Sequence, residues 1–316
     1  MLPLSPSLPP SPQGGFTPTN IPPKFWRRPD LCLSFDYARA VTAHFAKSFY
    51  ISASILPTER RWATYAVYGF CRYADNIVDS PRARTPEELY AEIEDLRREL
   101  LASYRLGESE HPVLRSFAPV AAMYGVPLEY SLDLLKGVTM DMEQSRYAAF
   151  DDLYVFCYRV ASVVGLMMTC VLGYSDREAF SYAEKMGVAM QLTNILRDVH
   201  EDKEMQRIYV PLEDLDRFGV DETDIFHERF TPDVRRLMKF QVERAHYYYD
   251  EGDKGIQLLP KETRFAISSA SKIYRGILRK IEERDYNPFL GRVFVPQRKK
   301  IRILAGEILR TKLFGK

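Results

Sequence analysis

The sequence predicts an all-α protein, a single bundle of roughly ten helices around a shared core. Three observations predict it. From about Leu31 onward, segments with apolar residues at i, i+3, i+4 and i+7 follow one another. Short breaks at Pro57, Pro86, Pro127, Gly173 and Pro260 separate them. Strand-like alternation is almost absent. No βαβ rhythm or GxGxxG pattern occurs, which argues against a Rossmann-type nucleotide fold. No repeat of about 20 to 50 residues recurs, which argues against a solenoid.

The composition agrees with that architecture. The chain has 316 residues, 46% hydrophobic and 28% charged, enough for a sizeable core in one domain or at most two. Its 44 basic and 43 acidic residues nearly cancel, so no overall field draws in nucleic acid or an acidic membrane, and any anion site must be local. No nucleic-acid partner is expected. Cys32, Cys71, Cys157 and Cys170 lie in apolar surroundings without CxxC pairs, as reduced core residues of a cytoplasmic protein would. No apolar run approaches the roughly 18 residues of a spanning helix, so a membrane-spanning chain is not expected.

Along the chain, residues 1–30 come first, rich in Pro and Ser and without an acidic residue before Asp30. They read as a flexible extension, and residues 31–316 as the folded domain. A transit peptide is the alternative, against which arginine appears only at Arg27 and Arg28, with no amphipathic period. The segment Ala66 to Asp79 is the most informative. At about 100° per residue, Tyr68, Arg72, Asp75 and Asp79 fall in a stripe about 60° wide. The opposite side carries Val67, Phe70, Cys71, Ala74 and Val78, so this is a buried amphipathic helix whose polar stripe faces a cavity or solvent. Farther on, Val160 to Met168 combines small and flexible apolar residues, including Val160 and Val164. Alone such a run reads as plain core; beside a charged site it is a candidate wall for a long hydrocarbon ligand. From Gln191 to Asp202 the stripe geometry returns, with Gln191, Asn194, Asp198 and Asp202 on one side.

Like charges at i, i+4 repel, and more so in a cleft, so two such pairs need compensation. Magnesium, which prefers oxygen ligands and takes one or two carboxylates plus substrate phosphates, fits that need. Two acidic helices facing one another would hold metal ions gripping a diphosphate, with Arg72, Arg197 and Arg207 as planar donors. Such a site suits ionisation, because charge develops on a departing diphosphate. Asp75, Asp79, Asp198 and Asp202, with Asn194, are the metal-ligating candidates. The competing reading is a pair of solvated helix faces with surface ion pairs; the recurrence of the stripe, each time with an arginine and an apolar back, weighs against it.

At these residues the chain resembles the squalene/phytoene synthase family from about Phe35 to Lys300. The matching segments are Ala46 to Tyr50, Tyr68 to Arg72 leading into Asp75 and Asp79, Tyr158 to Gly165, Gln191 to Asp202 running into Arg207 to Pro211, and Arg292 to Val295. The resemblance implies a single-domain isoprenoid-synthase helical bundle with a central cavity and Mg²⁺-bound diphosphates at its mouth, Mn²⁺ being a substitute. It places Asp75, Asp79, Asp198 and Asp202 at metal-binding positions, Gln191 and Asn194 at polar cavity positions, and Ser48 and Tyr68 near the first helix. Arg72, Arg197, Arg207, Tyr274, Arg292 and Lys300 match diphosphate-contacting positions. Two residues depart from the common pattern: Asn76 stands where many relatives carry a second aspartate, and Phe156 replaces the first tyrosine of a Tyr-Cys-Tyr sequence.

The implied activity is head-to-head condensation of two prenyl diphosphates through a cyclopropylcarbinyl diphosphate. The first expectation is two geranylgeranyl diphosphates giving phytoene for carotenoid biosynthesis, with release of diphosphate and no NADPH. The alternatives are two farnesyl diphosphates giving dehydrosqualene, presqualene diphosphate or squalene. A non-catalytic assembly factor of the same fold is the rival from another class, which the four retained aspartates disfavour. A terpene cyclase would lack the VAxxVG and RxYxP segments. A hydrocarbon product also implies a peripheral membrane contact for release, for which the basic segment Arg298 to Arg302 is one site and a diphosphate lid the other reading. Oligomeric state is left open.

Overall fold

The computed structural model describes residues 21–79 and 84–314, apart from the side chains of Ser48 and of 311–314. These residues form fourteen α-helices and no β-strand. In order they are α1 (Cys32–Phe45), α2 (Lys47–Ala53), α3 (Thr58–Asp79), α4 (Pro86–Leu106), α5 (Leu114–Tyr124), α6 (Leu128–Glu143) and α7 (Phe150–Cys157), then α8 (Val163–Leu172), α9 (Glu178–Glu204), α10 (Leu212–Phe218), α11 (Glu222–Phe226), α12 (Pro232–Asp253), α13 (Lys261–Glu282) and α14 (Gln297–Phe314). The all-α expectation holds. More helices form than the roughly ten expected, because α2, α10 and α11 span only 7, 7 and 5 residues, too few for an apolar period to register.

Local signals account for the longer boundaries. At the start of α4, Thr85 and Glu88 form a reciprocal capping box with Pro86 in the first turn, and Gly107 ends the helix at φ 76°. At α12 the Thr231 side chain alone caps the helix, accepting from the Val234 amide at 3.2 Å.

The 27-residue α9 is the spine of the molecule, packed against α12, α8 and α13. Helix α3 packs against α1, α5 and α8. Both stripe-bearing helices therefore lean on α8. One buried cluster joins α3, α5, α6 and α8; another joins α7, α9, α12 and α13. Close approach is decisive where α9 meets the segment leading into α8: a Cβ on Gly187 would lie 2.4 Å from Ser162 Cα, so only glycine fits without displacing backbone.

Two sequence expectations need correction. Residues 1–20 lie outside the described residues, but 21–30 are not a loose extension: Phe25 and Trp26 are only 3% and 7% exposed, and Trp26 stacks on Trp62 at 5.9 Å. Two large aromatics bury enough surface to anchor a segment that is polar and Pro-rich around them. Second, α7, the π-helical turn Tyr158–Ser162 and α8 run together from Phe150 to Leu172, 23 residues that meet the length and hydropathy of a spanning helix. Arg159, Ser162 and Thr169 break up its apolar run in the sequence. In the fold, 67% of its most apolar window is buried inside the protein, so it serves as a core helix. All four cysteines are free thiols; Cys71, Cys157 and Cys170 are buried as expected, whereas Cys32, at the start of α1, is only partly buried and is not a core residue.

Candidate active site

Helix α3 buries Val67, Phe70, Cys71 and Ala74 and thereby turns its polar stripe away from the core. Arg72 donates to Asp79 at 3.4 Å while its guanidinium lies 4.5 Å from the Phe45 ring. Burial and the Asp79 carboxylate push Asp75 up to about 7, Arg72 opposing them. Asp79 is also raised, chiefly by burial, against the pull of Arg72.

On α9 the stripe is organised differently. Arg197 grips its neighbour Asp198 with two hydrogen bonds, Nε to Oδ1 at 2.7 Å and Nη2 to Oδ2 at 2.5 Å. Arg292, from the segment before α14, grips the same carboxylate at 2.8 and 2.9 Å. Asp198 thus sits between two guanidinium forks. Asp202, one turn on, has no such clamp; burial and Asp198 push it up to about 7, with Arg207 opposing. Asn194 donates to Gln191 at 3.3 Å, and its Oδ1 is buried without a hydrogen-bond partner.

The link between the stripes is a residue that spacing did not single out. Asp141, near the end of α6, accepts from Arg207 Nη1 at 3.2 Å and from the Tyr209 hydroxyl at 2.6 Å, and Arg207 also reaches its backbone carbonyl at 3.0 Å. Its negative charge raises Asp75, Asp79 and Asp202 alike, so it lies within electrostatic reach of both helices. An acid between Met140 and Met142 was a readable oddity, but its partners are 66 and 68 positions away.

Beside these carboxylates opens a cavity of about 640 Å³, within the usual range for small-molecule sites. Its walls are mostly apolar: Val164, Gly165 and Met168 from α8, Ala183, Met186 and Met190 from α9, and Ile267, Ala270, Ile273 and Ile277 from α13. Of the expected site residues, Tyr68, Val164, Arg197, Tyr274, Arg292 and Lys300 line it. Burial, with Arg197 close by, holds Lys300 below the ordinary lysine value. Two cations facing one space in this way suit an anion. Burial pushes the Tyr68 phenol well up, so it is a neutral hydroxyl.

Other expected residues lie elsewhere. Val160 does not line the cavity: the π turn shifts the helical phase, so that Val160 faces Gly137 of α6, whose Cβ position would be 2.9 Å from Val160 Cγ1, and Ala161 lines the space instead. Arg72, Arg207, Gln191, Asn194 and the four aspartates lie outside the cavity lining. Ser48 is in α2, but its side chain falls outside the described residues. Phe156 stacks on Tyr209 at 5.5 Å, and neither it nor Tyr158 lines the cavity, so the tyrosine missing at 156 costs the site no hydroxyl.

The donor chemistry fits magnesium. Asp75, Asp79 and Asp202 carry poorly compensated charge, Asn194 Oδ1 is an orphaned acceptor, and every donor is oxygen. Among the described residues no three acidic, His or Cys side chains converge into a ready-made cage. A metal held here would therefore complete its shell with water and substrate oxygens, as magnesium does in phosphate sites.

Known proteins resemble the chain over most of its length. Residues 42–299 match the squalene/phytoene synthase family. A 15-cis-phytoene synthase of Synechocystis sp. is 36% identical, with 89% of this chain and 86% of that protein covered. Chloroplastic phytoene synthase 1 of Arabidopsis thaliana is 37% identical, covering 88% and 68%. Among solved structures, a dehydrosqualene synthase superposes with a TM-score of 0.81 at 32% identity, covering 88% of this chain and 96% of its own. A squalene synthase from Alicyclobacillus acidocaldarius gives 0.75 at 28% identity, covering 81% and 95%. With the family match and the identity to these relatives spanning most of the length, the chain belongs to the squalene/phytoene synthase family.

Proposed function

We propose that this prenyltransferase joins two geranylgeranyl diphosphates head to head into phytoene, releasing two diphosphates, without NADPH and with Mg²⁺ or Mn²⁺. The carrying observation is the juxtaposition of an apolar cavity with a rim of unlike charges, Arg197, Arg292 and Lys300 on its wall and the Asp75, Asp79, Asp141 and Asp202 carboxylates beyond. The identity to phytoene synthases over most of the chain supports the twenty-carbon substrate. Asp75, Asp79, Asn194 and Asp202 would hold the metal, which when bound neutralises charge on the leaving diphosphate; Asp198, expected as a further ligand, is taken up by the forks of Arg197 and Arg292.

The protein's own residues do the rest. Arg197, Arg292 and Lys300 take the diphosphate oxygens, the arginines through planar forks and the lysine as a point charge. Their interaction strengthens as the C–O bond breaks and charge passes to the diphosphate. The apolar wall holds two prenyl chains side by side and keeps water from the allylic cation until the second alkene attacks it. Loss of a proton closes the cyclopropylcarbinyl diphosphate. A second ionisation with rearrangement and loss of another proton gives the central triene and frees the second diphosphate, the protons passing to released diphosphate. Tyr68, a neutral hydroxyl, and Tyr274 on the same wall orient the reacting ends. Asp141 holds Arg207 and Tyr209 at the rim. The uncharged product has no counterpart in water and must leave toward an apolar phase.

The test is incubation of purified protein with labelled geranylgeranyl or farnesyl diphosphate, with and without NADPH, followed by product chromatography. Phytoene from the twenty-carbon substrate, abolished by chelation and restored by Mg²⁺, is expected. A farnesyl-derived product with geranylgeranyl diphosphate left unreacted overturns the substrate assignment, and full turnover after exhaustive chelation overturns the metal.

A further inference from the structure

Helix α14 leaves one side uncovered. Leu304 and Ile308 pack toward Phe265, Ala266 and Ile267 of α13, and Glu307 points the same way, bonded by Lys272 and Ser268. On the outer side, Arg298, Ile301, Arg302, Ala305 and Leu309 are exposed, Ile301 by 55% and Leu309 by 57%. At about 100° per residue these five share one stripe. Just ahead of α14, Phe294 is 67% exposed yet also lines the cavity, as does Phe45, which is 49% exposed; Lys300 lines it from the opposite side of α14.

Charge identifies the occupant. From Gln297 to Arg310 the helix carries Arg298, Lys299, Lys300, Arg302 and Arg310 against a single acid, Glu307, which is buried and paired. The chain as a whole is nearly neutral at +1, so this excess is local. Exposed apolar side chains among arginines, on a helix lying flat against the body, are what an anionic lipid surface binds. We infer that the outer face of α14 docks the protein on an anionic bilayer, which brings the exposed Phe294 just ahead of it, itself on the cavity wall, close to the lipid into which the hydrocarbon product leaves. The exit role rests on the proposed reaction; the docking surface does not.

The experiment is vesicle flotation of the full chain without substrate, using phosphatidylcholine alone or phosphatidylcholine with phosphatidylglycerol. Binding to the anionic vesicles, weakening as salt rises, is expected for the native protein. Arg298→Glu/Arg302→Glu should bind them at least about tenfold more weakly. Ile301→Ser/Leu309→Ser should lose the residual binding that survives high salt. Neither pair lines the cavity, so initial rates in detergent should match the native enzyme. The milder Arg298→Gln/Arg302→Gln gives a second reading if the charge-reversed variant misfolds, with the same direction expected. Native protein that stays with the aqueous fraction, or variants that float like it, overturns the inference. So does a dimer in sedimentation that Ile301→Ser/Leu309→Ser disrupts in the absence of vesicle binding, since the face would then belong to a second copy. Because no substrate is present, failure here is distinct from failure of the product assay.

Discussion

Replacing Asp202 with asparagine should stabilise the metal-free protein while destroying its catalysis. In the fold, burial and Asp198 raise Asp202 from 3.8 to about 7. The folded state therefore binds a proton more tightly than the unfolded chain does. The stability tied to this group is fully present below about pH 4 and is lost as pH rises through about 7. At about 1.36 kcal/mol per pH unit the whole interval is worth about 4 kcal/mol for a group sealed from water. Asp202 is only partly buried, and solvent screening reduces this to about 1–2 kcal/mol. Asparagine keeps the shape and carries no charge at any pH. For a protein of this size the gain corresponds to a rise in Tm of about 2–4 °C. The assay is thermal unfolding by circular dichroism in chelator at pH 8 and at pH 5, with turnover measured alongside. A higher Tm at pH 8, a smaller increment at pH 5 and no turnover are expected. A variant that melts below the native protein at pH 8, or an increment independent of pH, would refute the reasoning, because the carboxylate would then be serving the fold.

Arg197→Ala should lower kcat on the order of a hundredfold or more with a smaller change in KM, because its fork acts most strongly as charge builds on the leaving group; steady-state kinetics decide, and Arg197→Lys should recover only part of the loss. An unchanged kcat with a raised KM would mean that Arg197 merely captures substrate. Asp141→Asn should lower kcat about tenfold with little change in Tm, through misplacement of Arg207 and Tyr209, and a native rate in that variant would remove Asp141 from the site. Gly187→Ala should cost about 2 kcal/mol or more in urea unfolding, because the added methyl meets Ser162 backbone at 2.4 Å; a neutral result would show that α9 and the π turn can separate.

The sequence alone determined the helical class, the two carboxylate stripes and the family, because each is written in local spacing. Periodicity near 3.6 places Tyr68, Arg72, Asp75 and Asp79 on one side of α3 whatever surrounds them, and does the same for Gln191, Asn194, Asp198 and Asp202 on α9. Resemblance added Tyr274, Arg292 and Lys300, which do line the cavity. Tertiary structure decided what each charge meets. Asp198 and Asp202 look equivalent on a helix wheel, yet Asp198 lies in two arginine forks and Asp202 in none, because Arg292 arrives from 94 residues away. Asp141 entered the site through contacts with no fixed offset in the chain. Val160 left the cavity because the backbone took a π turn, a change of phase that a regular wheel cannot carry. Phe150–Leu172 has the length and hydropathy of a spanning helix, and only the fold shows that most of it is buried as core. Local pattern sets which side of a helix is polar; only the packing of distant helices sets which charges neutralise one another, and here the charges left uncompensated mark the site.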